Sequence, residues 1–179
     1  MIRFIQKDIE GLVLIENFIS RDDRGAFIKT FHSEKIKEVG FSDCFKESYY
    51  SISSKDVIRG MHFQTPPHDH EKLVYVTSGK ILDVVVDLRK NSPSYGRYVA
   101  IEMEALSNSI LIPKGCAHGF LTMSDSATVV YNVTTTYFPE SDSGILWNSF
   151  GFDWPVCNPI ISKRDLSFKD FPSFSSPFS

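Results

Sequence analysis

Apolar and polar residues alternate with a period of about two through the middle of the chain. The alternation falls in short segments rich in Val, Ile, Tyr and Thr, separated by Gly, Pro, Ser and Asn. β-branched and aromatic side chains suit a pleated, half-buried surface, so the segments read as strands. The pattern predicts strands over 11–19, 26–31, 45–53, 58–64, 71–77, 80–88, 97–102, 109–112, 117–122 and 127–138, with "TSGK", "RKNSPSYG" and "MSDSA" as turns or loops. Only "HSEKIKEVG" (32–40) reads as a helix, closed by Gly40. Many strands, few helices and no long repeat predict an all-β jelly roll or closed barrel. An immunoglobulin-type sandwich lacks its Cys…Trp…Cys spacing here. After "YFPESDSG" the composition shifts to Trp, Pro, Ser and Phe. Residues 140–179 are therefore expected to form an irregular, partly helical tail on a core barrel at about 45–139, with 1–179 as one domain and no linker.

Charge and composition narrow the partners. A formal net charge of -3 with no long basic run argues against nucleic-acid binding, which depends on many Lys and Arg contacts to phosphate. The opening "MIRFIQKDIEGLVLIENF" has charges breaking its apolar stretch, and no later run approaches the ~20 apolar residues of a membrane span. A cytoplasmic protein without a membrane partner is expected. Cys44, Cys116 and Cys157 are scattered, with no C-x-x-C pair, and are expected to be buried or semi-buried thiols rather than a disulfide or zinc framework.

The stretch "RGMHFQTPPHDHEKLVYVTSG" (59–79) holds three of the five histidines. One chemistry is metal binding: His68, His70 and Glu71, with His118 of "PKGCAH", approach the pattern by which metal-binding cupins supply imidazoles and a carboxylate from two hairpins. Pro66 and Pro67 weigh against it, since they make 65–70 a loop tip where these side chains would be solvated. The other chemistry starts at His62. Alternation puts Ile58, Gly60, His62 and Gln64 on one strand face and Arg59, Met61 and Phe63 on the other. A hairpin through "TPPHDH" would return Lys72 opposite His62, with Leu73 and Tyr75 alternating away. A His and a Lys facing one cavity suit proton abstraction beside a carbonyl, the imidazole taking the proton and the ammonium stabilising the oxyanion. A hydrogen-bonded core histidine beside a snorkelling lysine is equally compatible with these residues alone.

A resemblance decides between them. "DDRGAF" (22–27), "SISSKDVIRGMHFQ" (51–64), "KLVYVTSGKILDVVVDLRKNSPSYG" (72–96), "IPKGCAHGF" (112–120), "VVYNVTTTYFPE" (129–140) and "ISKRD" (161–165) resemble, in order, the motifs of the dTDP-4-dehydrorhamnose 3,5-epimerase family. The resemblance implies a cupin-like jelly roll, a homodimer, a nucleotide-linked 4-keto-6-deoxy sugar as substrate, and no metal or other cofactor. It implies His62 as the catalytic base, Asp165 as the carboxylate that orients it, Lys72 beside the C4 carbonyl and Tyr131 as the acid on the opposite sugar face. It further implies that Arg59 and Arg24 meet the diphosphate and His118 lines the cavity, with Phe27, Gln64 and Tyr137 completing the substrate-binding set. Asp170 of "SFKD" offers the same Ser spacing as Asp165 of "SKRD". No G-x-G-x-x-G fingerprint points to a dinucleotide.

Three positions depart from the family. Lys29 stands where it has a glutamate, and Glu47 and Tyr49 stand where it has a Gln and an Asn. A carboxylate accepts from paired N–H donors, which guanine offers and thymine does not, so these changes raise GDP, and a 4-keto-heptose, as an alternative carrier and sugar. Two further readings stay open: a metal-dependent cupin enzyme, and a non-catalytic sugar-nucleotide binding module. Binding alone requires no acid and base on opposite faces.

Overall fold

The hydrophobic alternation closes into two antiparallel sheets packed face to face. The computed structural model describes residues 2–179. In chain order the elements are β1 (Arg3–Gln6), β2 (Val13–Glu16), β3 (Phe18–Asp22), β4 (Gly25–Lys29), α1 (Ser33–Glu38), β5 (Glu47–Ser54), β6 (Ile58–Gln64) and β7 (Lys72–Ser78). There follow β8 (Lys80–Asp87), β9 (Tyr98–Glu104), β10 (Asn108–Ile112), β11 (Cys116–Thr122), β12 (Ser126–Val133), β13 (Asp142–Gly144), α2 (Lys163–Leu166) and a 3₁₀ turn at Phe171–Ser173. One sheet runs β1-β2-β10-β7-β12-β5, the other β13-β6-β11-β8-β9, and β3-β4 forms a separate two-stranded hairpin. Among the described residues no helix is long and apolar enough to cross a membrane.

Three apolar clusters follow from this layering. Val74, Val76, Ile110 and Val129 of the first sheet meet Ile81, Val85, Met103 and Phe120 of the second in the interior. Val84, Val86, Met61 and Phe63 face outward from the second sheet and are covered by Phe150, Trp154 and Phe178 of the tail. This is why "VVV" at 84–86 is apolar without alternation: the strand is buried on both faces. Ile36 of α1 and Phe41 cover Val13, Leu73 and Leu111 on the outer face of the first sheet.

The structure departs from the sequence pattern where a strand changes partners. The 11–19 segment splits at Asn17, whose Oδ1 accepts a hydrogen bond from Ser109 Oγ at 2.8 Å, and the chain then leaves the sheet for the β3-β4 hairpin. The 127–138 strand stops at Val133, β1 and β13 add pairing the pattern did not mark, and Cys44 and Cys157 are exposed while Cys116 is buried. β6 and β7 belong to different sheets, so "TPPHDH" crosses between sheets and is not a paired hairpin.

The most consequential departure is a bulge. His62 pairs with His118 and Arg59 with Phe120, leaving Gly60 and Met61 opposite Gly119 alone. The extra residue reverses the alternation within β6: Ile58 joins Met61 and Phe63 in the outer apolar cluster, and Arg59 no longer lies opposite in phase to His62. Only glycines fit this crossing. A Cβ on Gly119 would stand 2.8 Å from the Arg59 carbonyl oxygen and 2.9 Å from Gly60 Cα, both backbone atoms that must shift to admit it. Gly119→Ala is therefore expected to lower the denaturant midpoint by an amount equivalent to about 1–3 kcal/mol, the usual effect of overpacking. An unchanged midpoint would mean that the bulge yields freely.

Candidate active site

The bulge delivers His62 to a carboxylate supplied from the far end of the chain. Ser162 caps α2 by accepting a hydrogen bond from Asp165 N at 3.1 Å, and this short turn directs Asp165 inward. Asp165 Oδ1 lies 2.9 Å from His62 Nε2, and Oδ2 accepts from Gly60 N at 3.2 Å. Asp165 is only 3% exposed. Burial pushes its pKa up, but the His62 and Gly60 hydrogen bonds outweigh that and hold it below the usual carboxylate value. Burial likewise drives His62 below its usual 6.5 against the pull of Asp165, leaving a neutral imidazole at pH 7.

His62 faces a cavity of about 330 Å³ that Lys72 also lines. The lysine is 5% exposed, and its Nζ donates to the His62 carbonyl oxygen at 3.1 Å. Burial lowers its pKa to about 8, opposed by the charges of Asp83 and Asp142. The ammonium persists at neutral pH but is held in low dielectric, where it interacts strongly with a developing oxyanion.

On β12, Tyr131 pairs in register with Tyr49 of β5, and their rings stack with centroids 4.9 Å apart and 18° between planes. His118 approaches Tyr131 edge-on at 6.0 Å and is fixed by Asp83, whose Oδ2 lies 2.7 Å from His118 Nε2. The far wall is the loop after β12. Gln64 pins it: Oε1 accepts from Phe138 N at 2.6 Å, and Nε2 donates to Thr136 O at 3.2 Å and His68 O at 2.9 Å. Tyr137 and Asp142 complete this wall, with Arg164 Nη2 donating to Asp142 Oδ2 at 2.7 Å.

Comparison with known proteins is decisive. The family model described as dTDP-4-dehydrorhamnose 3,5-epimerase matches residues 6–173. The chain is 41% identical over 173 residues to the dTDP-4-dehydrorhamnose 3,5-epimerase of Methanothermobacter thermautotrophicus, covering 93% of each chain. It is 41% identical over 170 residues to the Escherichia coli K12 enzyme of the same name, covering 93% of this chain and 90% of that one. The crystal structure of dTDP-6-deoxy-D-glucose-3,5-epimerase from Legionella pneumophila, in complex with dTDP-4-keto-L-rhamnose, superposes with a TM-score of 0.92 at 33% identity, covering 98% of this chain and 95% of that one. The chain belongs to the dTDP-4-dehydrorhamnose 3,5-epimerase family. It is an isomerase of sugar biosynthesis with the cupin-like jelly roll of its relatives.

In this epimerase the cavity gathers His62, Lys72, Gln64, Glu47, Tyr49 and Tyr137, all expected from sequence. Arg59 lines an adjoining hollow together with His62, Arg164 and Asp165. His118, 3% exposed, does not line the cavity as a substrate-lining residue would, and Tyr131, 8% exposed, is nearly buried with its ring against Tyr49, which does line it. Asp165, not Asp170, is the His62 partner, since Asp170 is exposed. Arg24, Phe27 and Lys29 lie on the β3-β4 hairpin outside their own chain's cavity, and Arg24 folds back on Asp22 at 2.6 Å. Glu47 Oε2 already accepts from Tyr137 N at 2.6 Å, which removes one oxygen from the guanine-binding role proposed for it.

The metal candidates do not converge. His68 stacks flat on Phe138 with centroids 3.6 Å apart, His70 Nδ1 sits 3.1 Å from Thr135 Oγ1, Glu71 accepts from Ser42 N at 2.9 Å, and His118 is held by Asp83. Among the described residues no group of three His, Cys, Asp or Glu side chains comes together as a metal site. Nor is His70 a solvated loop residue: it lines the cavity, and burial lowers its pKa to about 3. Sequence reasoning passed over Arg164 and Asp142. Arg164 is flagged by its place beside Asp165 in "SKRD", whereas nothing in "ESDSG" marks Asp142.

These shifts set a pH profile. A base must be neutral, so kcat/KM should rise with pH through the depressed His62 pKa, below 6.5, and fall again near pH 8 as Lys72 loses its proton. Asp165 is what pulls the His62 pKa upward, so Asp165→Asn should move the acid limb to lower pH while cutting kcat by about 10²-fold or more. An acid limb that stays in place would remove Asp165 from that role.

Proposed function

We propose that the epimerase inverts C3 and C5 of a dTDP-linked 4-keto-6-deoxy sugar by proton abstraction and return beside the C4 ketone, with no cofactor. The observation that carries this reading is the neutral, carboxylate-oriented His62 facing one cavity with the buried ammonium of Lys72. His62 takes the proton from the carbon flanking the ketone, and Asp165 holds the imidazolium that forms. Lys72 donates to the C4 oxygen as enolate charge develops there. Tyr131 returns a proton to the opposite face. A placed base is worth roughly 10²–10⁴-fold and one aimed oxyanion donor about 3–4 kcal/mol, enough together to carry much of the acceleration.

The carrier we propose is thymidine diphosphate, not the guanosine diphosphate that Lys29 and Glu47 raised. The thymidine-linked ligand of the Legionella protein supports this, as does the engagement of the Glu47 carboxylate by the Tyr137 backbone N–H. We also propose a homodimer, in which the hairpin of one protomer brings Arg24, Phe27 and Lys29 to its partner's cavity; this would reconcile the expected role of these residues with their distance from their own. A cytoplasmic location and a single-domain organisation belong to the same proposal.

Deuterium uptake from D₂O into dTDP- and GDP-linked 4-keto sugars, read by mass spectrometry and proton NMR, tests the chemistry. Label at C3 and C5 of the dTDP-sugar is expected, and none after His62→Asn. Label in the GDP-sugar alone would overturn the carrier. The dimer has its own test: mixing inactive Arg24→Ala and His62→Asn proteins should restore activity, because hybrid dimers rebuild one intact site from two chains. Failure of any mixture to recover would rule out the shared site.

A further inference from the structure

Tyr49 stands where the family has an Asn, and the sequence placed it at the nucleotide. The structure ties it to the proposed proton donor. Tyr49 and Tyr131 are direct cross-strand partners of antiparallel β5 and β12, so both side chains leave the same sheet face. Their rings lie nearly parallel, 4.9 Å apart, within the range of an offset stack. Tyr49 is 42% exposed and lines the cavity; Tyr131 is 8% exposed and nearly buried. The other aromatic against Tyr131 is His118, approaching edge-on and locked by the buried Asp83. Within the buried cluster that includes Val74 and Val129, the Tyr131 ring thus meets two aromatic neighbours, His118 from the interior and Tyr49 from the cavity side.

We infer that Tyr49 is a positioning residue for the proton-return step, its ring fixing the orientation of the Tyr131 phenol and screening it from water. The inference rests on the reading of Tyr131 as the acid. In each inversion the C–H proton passes to His62 and the enolate carbon takes the phenolic proton of Tyr131; the phenoxide then regains a proton from water and the imidazolium releases one. Inversion succeeds only if Tyr131 delivers before His62 gives its proton back on the original face. A phenol free to swing, or open to water, loses that competition. Burial, the main cause of the raised Tyr131 pKa, also favours the neutral phenol needed here, and the Tyr49 ring contributes to that burial.

The test is the partition of label in D₂O with a dTDP-4-keto-6-deoxy sugar: deuterium in substrate recovered without inversion, divided by deuterium in the epimer. Tyr131→Phe should raise this ratio by about 10²-fold. Tyr49→Ala should raise it by between about tenfold and a hundredfold, as a misplaced catalytic group does, while the deuterium uptake that persists reports a folded site. Tyr49→Leu, which keeps bulk without a flat face, should raise it too, and Tyr49→Phe should restore the parent ratio whatever its rate. The Tyr49→Ala/Tyr131→Phe pair should raise it no further than Tyr131→Phe alone, because the two act as a unit. A parent ratio in Tyr49→Ala and Tyr49→Leu would overturn the inference. So would a Tyr49→Phe ratio as high as that of Tyr131→Phe, which would make the Tyr49 hydroxyl the donor. A parent ratio in Tyr131→Phe would instead remove the Tyr131 assignment, and this inference with it.

Discussion

The Asp165 carboxylate is the tie on which the rest of the site depends. It lies at the far end of the chain from the strand it serves, on a one-turn helix, and its two oxygens join that tail to His62 and to the Gly60 amide at the bulge. A buried carboxylate without partners would be strongly destabilising, since desolvation of a charge costs several kcal/mol. Here both oxygens are met, and each partner is itself fixed. The Gly60 amide is free to donate because the bulge withdraws it from the β6-β11 ladder, and the bulge exists because Gly60 and Gly119 let two backbones approach without a Cβ between them. The packing that seats the tail, with Trp154, Phe150 and Phe178 on the outer face of the second sheet, is therefore also what brings Asp165 to His62. Stability and chemistry share one set of contacts.

Much of this was legible in the sequence, and the exceptions have physical causes. Nine of the ten predicted strands correspond in place to one strand of the structure, and the 11–19 segment to two, because apolar alternation on a half-buried sheet survives into the fold. The phase of β6 was misread for a definite reason: period-2 counting assumes an unbroken ladder, and a bulge inserts one residue with no mark in composition beyond a glycine. The crossing at "TPPHDH" was read as a hairpin because a loop that changes sheets looks the same in sequence as one that returns beside its neighbour. Asn17 broke a strand through a side-chain bond to Ser109, a partner far away in sequence.

The site divides along the same line. His62 and Lys72 were singled out within one stretch and Asp165 by the family resemblance, and the structure brings the three together. His68 and His70 looked like metal ligands because residue type was all the sequence offered; their directions, one flat on Phe138 and the other toward Thr135, are set by the loop after β12. Arg24, Phe27 and Lys29 lie on a hairpin that pairs with neither sheet, so one chain alone gives them no cavity to line. Asp142 reached the cavity only because Arg164 and the short β13 strand bring it there.

Two basic groups face one pocket, and their surroundings hold them in different charge states at neutral pH. Burial lowers the pKa of both, and the Lys72 charge lowers that of His62 further. The counter-charges are divided unequally. Asp165 contacts His62 directly and pulls against the fall of its pKa, whereas His70, whose ring nitrogen meets Thr135, drops to about 3 under burial. Asp83 and Asp142 act on Lys72 only through space, so the lysine keeps its charge at neutral pH but spends none of its N–H donors on a carboxylate. Its one protein acceptor is a backbone carbonyl, that of His62, which fixes the ammonium beside the base and leaves two donors for an oxygen in the cavity. Contact with either Asp would raise the Lys72 pKa further and occupy an N–H donor that now stays free. Distance from its counter-ions is what leaves Lys72 donors free toward the cavity, just as contact with its own is what fixes the His62 ring.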